Sequence, residues 1–155
     1  MPAPTPRRKG REQFPGPLGE ELYLQLQRSA EALRQRLEAA LKPAGLSPTQ
    51  YNVLRILRGA GPGGLPCRRI AERMVTRDPD ITRLLDRLEA RGWVARTREK
   101  KDRRVITTRI TEAGLRRLKT LDEPVAGMHR QQVGQVPERT LRALIGLLKQ
   151  VRSPR

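Results

Sequence analysis

Residues 80–94, DITRLLDRLEARGWV, decide the fold of this chain. If this stretch is helical, with about 100° per residue, four of its apolar side chains fall on one narrow arc of the helix surface. These are Ile81, Leu84, Leu85 and Leu88. Asp78 and Pro79, directly ahead, have the types that favour a helix N-cap and the first helical position. Gly92 has the type that favours the left-handed residue after a helix. The sequence therefore predicts an amphipathic helix over residues 78–91.

Two short segments rich in Val, Ile and Thr follow this helix, at residues 93–98 and 104–110. The charged residues 99–103 between them predict a hairpin. A shorter helix is expected upstream, over residues 66–75, after the glycine-rich breaker at residues 59–64. Two helices followed by a hairpin predict a winged helix-turn-helix, in a fold that is mainly α with a small β-hairpin wing (α+β).

Two further helices are predicted before this unit. Residues 20–42 carry apolar side chains at spacings of three and four, which indicates an amphipathic helix that ends before Pro43. Ser47, Pro48 and Gln50 then combine an N-cap, a proline at the first helical position and a capping-box partner. They are expected to begin the next helix.

Two more helices are predicted after the hairpin. Thr111 has the type and the position of an N-cap. The helix that it begins contains Pro124, which lacks an N–H and is expected to kink or break it. A last amphipathic helix is predicted over residues 137–152.

The composition indicates an anionic partner. The chain has 155 residues with 33 Lys and Arg against 16 Asp and Glu, which gives a net charge of +17. Such an excess favours nucleic acid or an acidic membrane surface. Aromatic residues make up only 3% of the chain, which argues against an RNA module that stacks bases on exposed rings. No apolar stretch approaches the ~18 residues of a membrane span. Binding to a membrane surface needs a basic amphipathic helix, and the predicted helix that begins at Glu20 mixes acids and bases. Double-stranded DNA is therefore the expected partner.

Residue counts exclude several other classes. The single Cys excludes an intramolecular disulfide, and the single His excludes a Cys/His zinc site. No nucleophile and base set can be assembled, so no catalytic residue, metal or cofactor is expected. The basic, Pro-rich residues 1–17 are predicted to be a disordered arm and not a signal peptide, and residues 153–155 a short tail. The reducing cytoplasm is the expected compartment.

The same net charge also fits a basic protein that coats DNA or RNA without regard to sequence. A protein that recognises one DNA sequence differs from it in competition behaviour, because it prefers its own site over random DNA by ~10³-fold or more at physiological salt. A coating protein shows no such preference.

The chain closely resembles the MarR family of bacterial winged helix-turn-helix transcription regulators. The resemblance is carried by residues 80–94, by KDRR at residues 101–104 and by RITEAG at residues 109–114. The combination of helix, hairpin and Thr-Glu-x-Gly string is more specific than a lone helix-turn-helix.

This resemblance implies a single MarR-type domain over residues 18–152. Within it, residues 46–110 would form the winged helix-turn-helix, and residues 18–43 and 111–152 the dimerisation helices. Members of the family are homodimers that bind palindromic operators, usually as repressors. Many release DNA when a small aromatic or phenolic effector binds or when a cysteine is oxidised.

The exposed face of the predicted recognition helix is polar and basic. Arg can fork to guanine and Thr can touch a thymine methyl group, so this face is predicted to read bases; for an isolated helix the alternative is a solvated charged face. Asp78 is predicted to be the cap, while Asp80 is open between support for the cap and a contact to cytosine N4. The predicted contacts are Arg77, Asp80, Thr82, Arg83 and Arg87.

The hairpin tip is the second predicted DNA contact. In the family, the Arg that matches Arg104 enters the minor groove, and the Asp that matches Asp102 holds it by an ion pair. A narrow minor groove concentrates negative potential that attracts a guanidinium; the alternative is a hairpin edge that is charged only for solubility. The predicted wing residues are Arg98, Lys100, Lys101, Asp102, Arg103 and Arg104.

The first and last helices carry apolar stripes that no other predicted element of the domain covers. The resemblance places both stripes in a two-fold interface, and the alternative is that the two helices pack on each other within one monomer. A dimer would set its recognition helices about 34–36 Å apart, one turn of B-DNA. The predicted interface residues are Leu22, Leu26, Leu33, Leu37, Leu141, Leu144, Leu148 and Val151.

Regulation is the least defined part of the sequence. Tyr23, Tyr51 and Arg55 could line an effector pocket of the family type between the dimerisation and DNA-binding regions, although core and surface roles fit them equally well. Cys67 is predicted to be a small buried residue and not a redox sensor. His129 is predicted to be a surface or core residue and not a ligand contact.

Overall fold

A computed structural model of the chain describes residues 17–76, 79–99 and 105–152. The chain divides into two compact units, of which the first ends at Arg34 and the second begins at Gln35. The described part of the first unit is helical throughout, and its Leu22 and Leu33 are 46% and 47% exposed. The predicted arm and the predicted tail lie outside the described residues, apart from Pro17.

The first helix ends where proline and glycine predict. Helix α1, Pro17–Leu41, is followed by a single 3-10 turn over Lys42–Ala44. Gly45 closes this turn with φ +63, a left-handed conformation that favours glycine. Leu41 is fully buried, so the end of the helix is fixed in the core of the second unit.

Helix α2, Pro48–Ala60, begins with the predicted capping box. The Gln50 N–H donates to Ser47 Oγ at 3.2 Å, and the Ser47 N–H donates to Gln50 Oε1 at 3.1 Å. Two otherwise unpaired backbone donors are thereby satisfied. Val53, Leu54 and Leu57 of this helix are fully buried.

A two-residue strand precedes the short third helix. Strand β1, Leu65–Pro66, is followed by α3, Cys67–Arg73, and then by α4, Ile81–Ala90. The sequence placed the third helix over residues 66–75, and this was wrong at both ends. Pro66 is in extended conformation because it pairs with β3, and α3 ends before Met74, whose backbone is also extended.

The hairpin is confirmed, and β1 makes it a three-stranded sheet. Strands β2, Val94–Arg98, and β3, Ile106–Ile110, are antiparallel, with Val94 opposite Ile110. The strand order is β1-β3-β2, so β3 is central. Gly64 enters β1 with φ +67, and a Cβ there would stand 2.4 Å from the Thr108 carbonyl oxygen. Only glycine fits this approach of the backbone to β3.

Helix α5, Glu112–Val133, runs through Pro124 without interruption. The predicted cap is confirmed, since Thr111 Oγ1 accepts the Gly114 N–H at 3.1 Å. A break at Pro124 does not occur, because the buried Leu121 and Val125 on either side of it anchor the helix to the core. Helix α6, Glu138–Arg152, ends the described chain, and none of its fifteen described residues is buried.

The core of the second unit lies between the helices and the sheet. Its fully buried side chains come from the end of α1, from α2 to α4, from β2 and β3 and from α5. The largest of them are Leu41, Leu54, Leu57, Ile70, Leu84, Leu85, Leu88, Leu118, Val53, Val94 and Thr108. Helix α4 and the two strands of the hairpin are therefore attached to one core.

Candidate nucleic-acid interface

Helix α4 has one anchored side and one open side. Leu84, Leu85 and Leu88 are at most 1% exposed. Arg83 and Arg87 are exposed on the other side of the helix, with Thr82 beside them. The predicted recognition face is therefore free to enter a groove of DNA.

Asp80, and not Asp78, is the N-cap of α4. Its side chain accepts the Arg83 N–H at 3.3 Å, and Arg83 Nε lies 3.1 Å from Asp80 Oδ2. The predicted cap at Asp78 is thus wrong, because either acid satisfies the sequence rule and the helix begins two residues later. Asp78 and the predicted contact Arg77 lie outside the described residues.

The segment before α4 is held by α2. The Val75 N–H donates to Asn52 Oδ1 at 3.1 Å. The side chain of Val75 itself is 89% exposed. Asn52 therefore fixes the backbone that leads into the recognition helix.

Arg109 of β3 links the hairpin to the turn after α2. Its Nη1 donates to Thr97 Oγ1 at 2.5 Å, its Nη2 to Glu99 Oε1 at 3.1 Å and its Nε to the Pro62 carbonyl at 3.2 Å. Hydrogen bonds from Thr107 and Arg109 lower the pKa of the Glu99 carboxyl. The base of the wing is thereby braced from both strands.

Of the predicted wing residues, Arg98 lies in the part of the chain that the structure describes. Arg98 is exposed at the end of β2. The Glu99 N–H donates to the Val105 carbonyl at 2.9 Å, so the two strands still meet where the described hairpin stops. The other predicted wing contacts lie outside the described residues, and they are Lys100, Lys101, Asp102, Arg103 and Arg104.

Arg96 of β2 is held by two carboxylates of α4. Its Nη2 lies 2.5 Å from Asp86 Oδ1 and 2.6 Å from Glu89 Oε2, and its Nε donates to Glu89 Oε2 at 2.8 Å. The Arg96 N–H also donates to Glu89 Oε1 at 3.0 Å. The side-chain hydrogen bond from Arg96 is the main cause that lowers the pKa of Glu89. The half-exposed Asp86 and the partly buried Glu89 are thus both engaged in this ion pair.

Trp93 joins α4, α5 and the turn after α1. The guanidinium groups of Arg91 and Arg117 lie 4.9 and 5.6 Å from its ring centroid. Arg91 donates to the Gly45 carbonyl at 2.7 Å, and Arg117 to the Ala44 carbonyl at 2.5 Å. This indole therefore fixes the junction between the recognition helix and the wing.

An open groove of about 740 Å³ lies between the end of α1 and the second half of α5. Small and apolar side chains line most of it, with Arg36 and Gln131 as the long polar ones. The other lining residues are Ala39, Ala40, Pro43, Pro124, Gly127 and Met128.

The three predicted pocket residues do not line this groove. Tyr51 is only 5% exposed, and the guanidinium of Arg55 lies 5.7 Å from its ring centroid. Burial is the main cause that raises the pKa of Tyr51. Tyr23 is 60% exposed in the first unit, where its hydroxyl accepts a hydrogen bond from Gln27 at 2.9 Å.

Cys67 lies on α3 and His129 on α5. Cys67 packs in part against the core, and burial raises the pKa of its thiol, which disfavours the reactive thiolate. His129 is exposed on α5. Among the residues that the structure describes, no group of His, Cys, Asp and Glu could hold a metal ion. Within the same residues, no helix is long and apolar enough to cross a membrane.

A basic helix face on an anchored helix, followed by a braced basic hairpin, defines the winged helix-turn-helix class of DNA-binding proteins. The sequence model of the MarR family matches residues 46–106, which span α2 to the start of β3. The chain is also similar to a MarR transcription factor of Planctomyces limnophilus, at 43% identity over 84% of this chain and 94% of the other, with a TM-score of 0.66.

Two further relatives extend this comparison. The repressor MdtR of Bacillus subtilis is 35% identical over 61% of this chain, and the match spans 63% of the repressor's own length. CouR of Rhodococcus jostii RHA1 is 28% identical over 89% of this chain and 96% of its own, with a TM-score of 0.76, in a structure with p-coumaroyl-CoA. The repressor CouR has also been solved bound to a 23-mer DNA duplex.

The chain belongs to the MarR family and is a transcription regulator of the winged helix-turn-helix type, not an enzyme. The sequence resemblance and the predicted fold class are thereby confirmed.

Several residues of the site were not found from the sequence. Arg96, Arg109 and Asn52 act through partners seven or more residues away in sequence, beyond a helical turn, so no periodicity marks them. Only Arg96 had a weak signal in the sequence. Asp86 and Glu89 lie three residues apart on a helix that is expected to attract phosphate, and two acids there indicate a basic partner within the protein.

Proposed function

We propose that the protein is a homodimeric, sequence-specific repressor of a palindromic operator in double-stranded DNA. The observation that carries this proposal is the open face of α4, where Arg87 and Thr82 are exposed opposite three buried leucines. Arg87 would fork to a guanine in the major groove, and Thr82 would contact a thymine methyl group. Arg83 would leave its ion pair with Asp80 for a base or a phosphate, at little cost because that pair is exposed.

The wing would contact the adjacent minor groove. Arg98 is exposed where β2 ends, and the predicted tip residues follow it in sequence. Arg104 would enter the minor groove, with Asp102 as its ion-pair partner, as in the family. The protein would act on the nucleoid in the bacterial cytoplasm, where such operators lie.

Dimerisation is supported by the exposure of apolar side chains in each unit. On α6, Leu144 is 49%, Leu148 38% and Val151 51% exposed, and Leu141 is half-buried. On the N-terminal helix, Leu22 and Leu33 are nearly half exposed, while Leu26 and Leu37 are half-buried. Contiguous apolar stripes of this kind mark protein interfaces, and a second copy of the chain is the proposed partner.

A small aromatic or phenolic effector is proposed to release the DNA. The ligand-bound CouR structure supports a regulated response in a relative. The groove between α1 and α5 has an apolar lining of suitable volume, and Arg36 at its edge would pair with a phenolate or a carboxylate. We place the effector there and not at Tyr51, which is buried.

The decisive experiment selects fragments of the host's genomic DNA that bind at ~150 mM salt, where weak electrostatic binding is screened. Recovery of one palindromic site supports the proposal. Recovery of unrelated sequences would instead favour a sequence-independent coating protein, which the net charge of +17 also suits.

The base contact is tested on the recovered site with Arg87→Ala. The loss is expected to be about 1–3 kcal/mol for the operator and to relax the preference at one base pair. Arg130→Ala, on α5, removes the same charge from an ion pair with Glu123 and serves as the control. Equal losses for operator and random DNA would make Arg87 a phosphate contact only.

A further inference from the structure

Arg96 has the most constrained side chain of the DNA-binding region. It makes four hydrogen bonds with α4, including one from its own backbone N–H to Glu89. Its side chain is 26% exposed, whereas the partners in the Arg142–Glu138 pair of α6 are 77% and 76% exposed. An exposed pair within one helix contributes little, but a half-buried fork between two elements fixes their relative position.

The two ends of this link lie in different DNA-contacting elements. Asp86 and Glu89 are on the recognition helix, and Arg96 is in the middle of β2, opposite Thr108 of the central strand. The link therefore joins α4 directly to the wing, in addition to the covalent turn at Gly92.

The position of the carboxylates on α4 determines what the link controls. Residues of an α-helix are about 100° apart, so Asp86 lies next to the open face that carries Arg83 and Arg87. A fork to Asp86 and Glu89 prevents the helix from turning about its own axis. The direction of Arg87 is then set relative to the hairpin.

We infer that Arg96 is a positioning residue for DNA recognition: it locks the rotation of α4 against the wing so that both elements enter successive grooves together. This inference rests on the proposed function, because it concerns how the same interface discriminates between sequences. Arg96 acts through its contacts with Asp86 and Glu89 of α4. Its loss lowers the preference for the operator while attraction to any DNA is kept.

The sharpest test removes the carboxylates and leaves Arg96 in place. The double variant Asp86→Asn/Glu89→Gln is more basic than the wild type by two charges, so a purely electrostatic view predicts tighter binding to all DNA. We expect instead that the affinity for random DNA is equal or higher while the ratio of operator to random affinity falls at least tenfold. The ratio is measured at ~150 mM salt on the operator recovered by genomic selection.

Two milder variants cover the case in which the double variant does not fold. Asp86→Asn removes one partner that is half exposed, and the ratio is expected to fall about threefold. Arg96→Lys keeps the charge but loses the planar fork of the guanidinium. Its affinity ratio is expected to lie between those of Asp86→Asn and the double variant. Arg130→Ala is the matched control and is expected to leave the ratio unchanged.

The outcomes separate the inference from the proposed function. A wild type with no operator preference overturns both. A wild type with a preference that the folded variants keep within twofold overturns the positioning role alone. Parallel losses on operator and random DNA in Arg96→Lys would also overturn it, because they would mean that the guanidinium of Arg96 supports binding to any DNA and not the choice between sequences.

Discussion

Gly114 lies against the backbone of Trp93 so closely that a Cβ built on it would stand 2.2 Å from the Trp93 carbonyl oxygen. The same carbonyl accepts the Thr111 N–H at 3.0 Å. Helix α5 and the start of the wing thus meet through main-chain atoms, and this contact sets where the hairpin leaves the core.

Gly114→Ala is expected to destabilise the protein by about 2–3 kcal/mol, because the new methyl group would clash with the Trp93 backbone and would also meet Ile110 Cγ1 at 2.8 Å. Gly59→Ala on α2 is the matched control, since a Cβ there has nothing within 4 Å. That variant should gain about 0.5 kcal/mol from the helix propensity of alanine. Denaturant unfolding measures both, and equal stability of the two variants would contradict the contact.

Thr108→Val is expected to stabilise the fold by about 1 kcal/mol. Thr108 is fully buried in the central strand, and its Oγ1 has no hydrogen-bond partner among the described residues. Valine has the same shape without the desolvated hydroxyl. The neighbouring Thr107→Val should lower stability instead, because Thr107 makes a side-chain hydrogen bond with Glu99. Thermal unfolding of the two variants at pH 7 compares them, and a loss in Thr108→Val would refute the account.

The ion pair between Arg96 and Glu89 is expected to make the free energy of unfolding decrease at acid pH. The pKa of Glu89 is lowered in the folded state, so its contribution is fully present above the unfolded value of about 4.3 and is lost as the pH falls through the lower folded value. The stability gap between wild type and Glu89→Gln is therefore expected to be constant above about pH 5.5 and to narrow below about pH 4. Thermal unfolding from pH 7 to 3 measures it, with Glu138→Gln as the control for an exposed pair. A gap that does not depend on pH would argue against the ion pair.

Leu144→Lys is expected to convert the proposed dimer into a monomer at micromolar concentration, because it places a charge in the apolar stripe of α6. Gln150→Lys adds the same charge to an exposed position on the other side of that helix and should leave the dimer intact. Light scattering distinguishes the two states. A wild type that is monomeric throughout would remove the basis for a palindromic operator.

The helices of this chain were predictable because their signals are local. Ser47 with Gln50 and Thr111 with Gly114 lie within one helical turn, so the cap and its partner are visible in a short window of sequence. The leucines of α4 show their burial by spacing alone. The same locality explains the error at Asp78, because a window that contains two acids around one proline does not decide which of them caps the helix.

The features that were missed depend on residues far apart in the chain. Strand β1 has two residues, too few for any alternation, and it exists only because Thr107 and Thr108 of β3 pair with it. The fork of Arg96 requires the chain to reverse at Gly92 and return along α4. The continuity of α5 at Pro124 depends on burial that a proline rule does not include.

The order of the sheet has a consequence for how the protein behaves when it is concentrated. With β3 in the centre, the open edges are β1 and β2. Strand β1 offers only two residues, and its Pro66 has no N–H to donate, while β2 carries the exposed Arg98, which would repel a second copy of the same strand. Neither edge can template an added strand, so the wings of neighbouring molecules are protected from aggregation and stay available when the regulator accumulates.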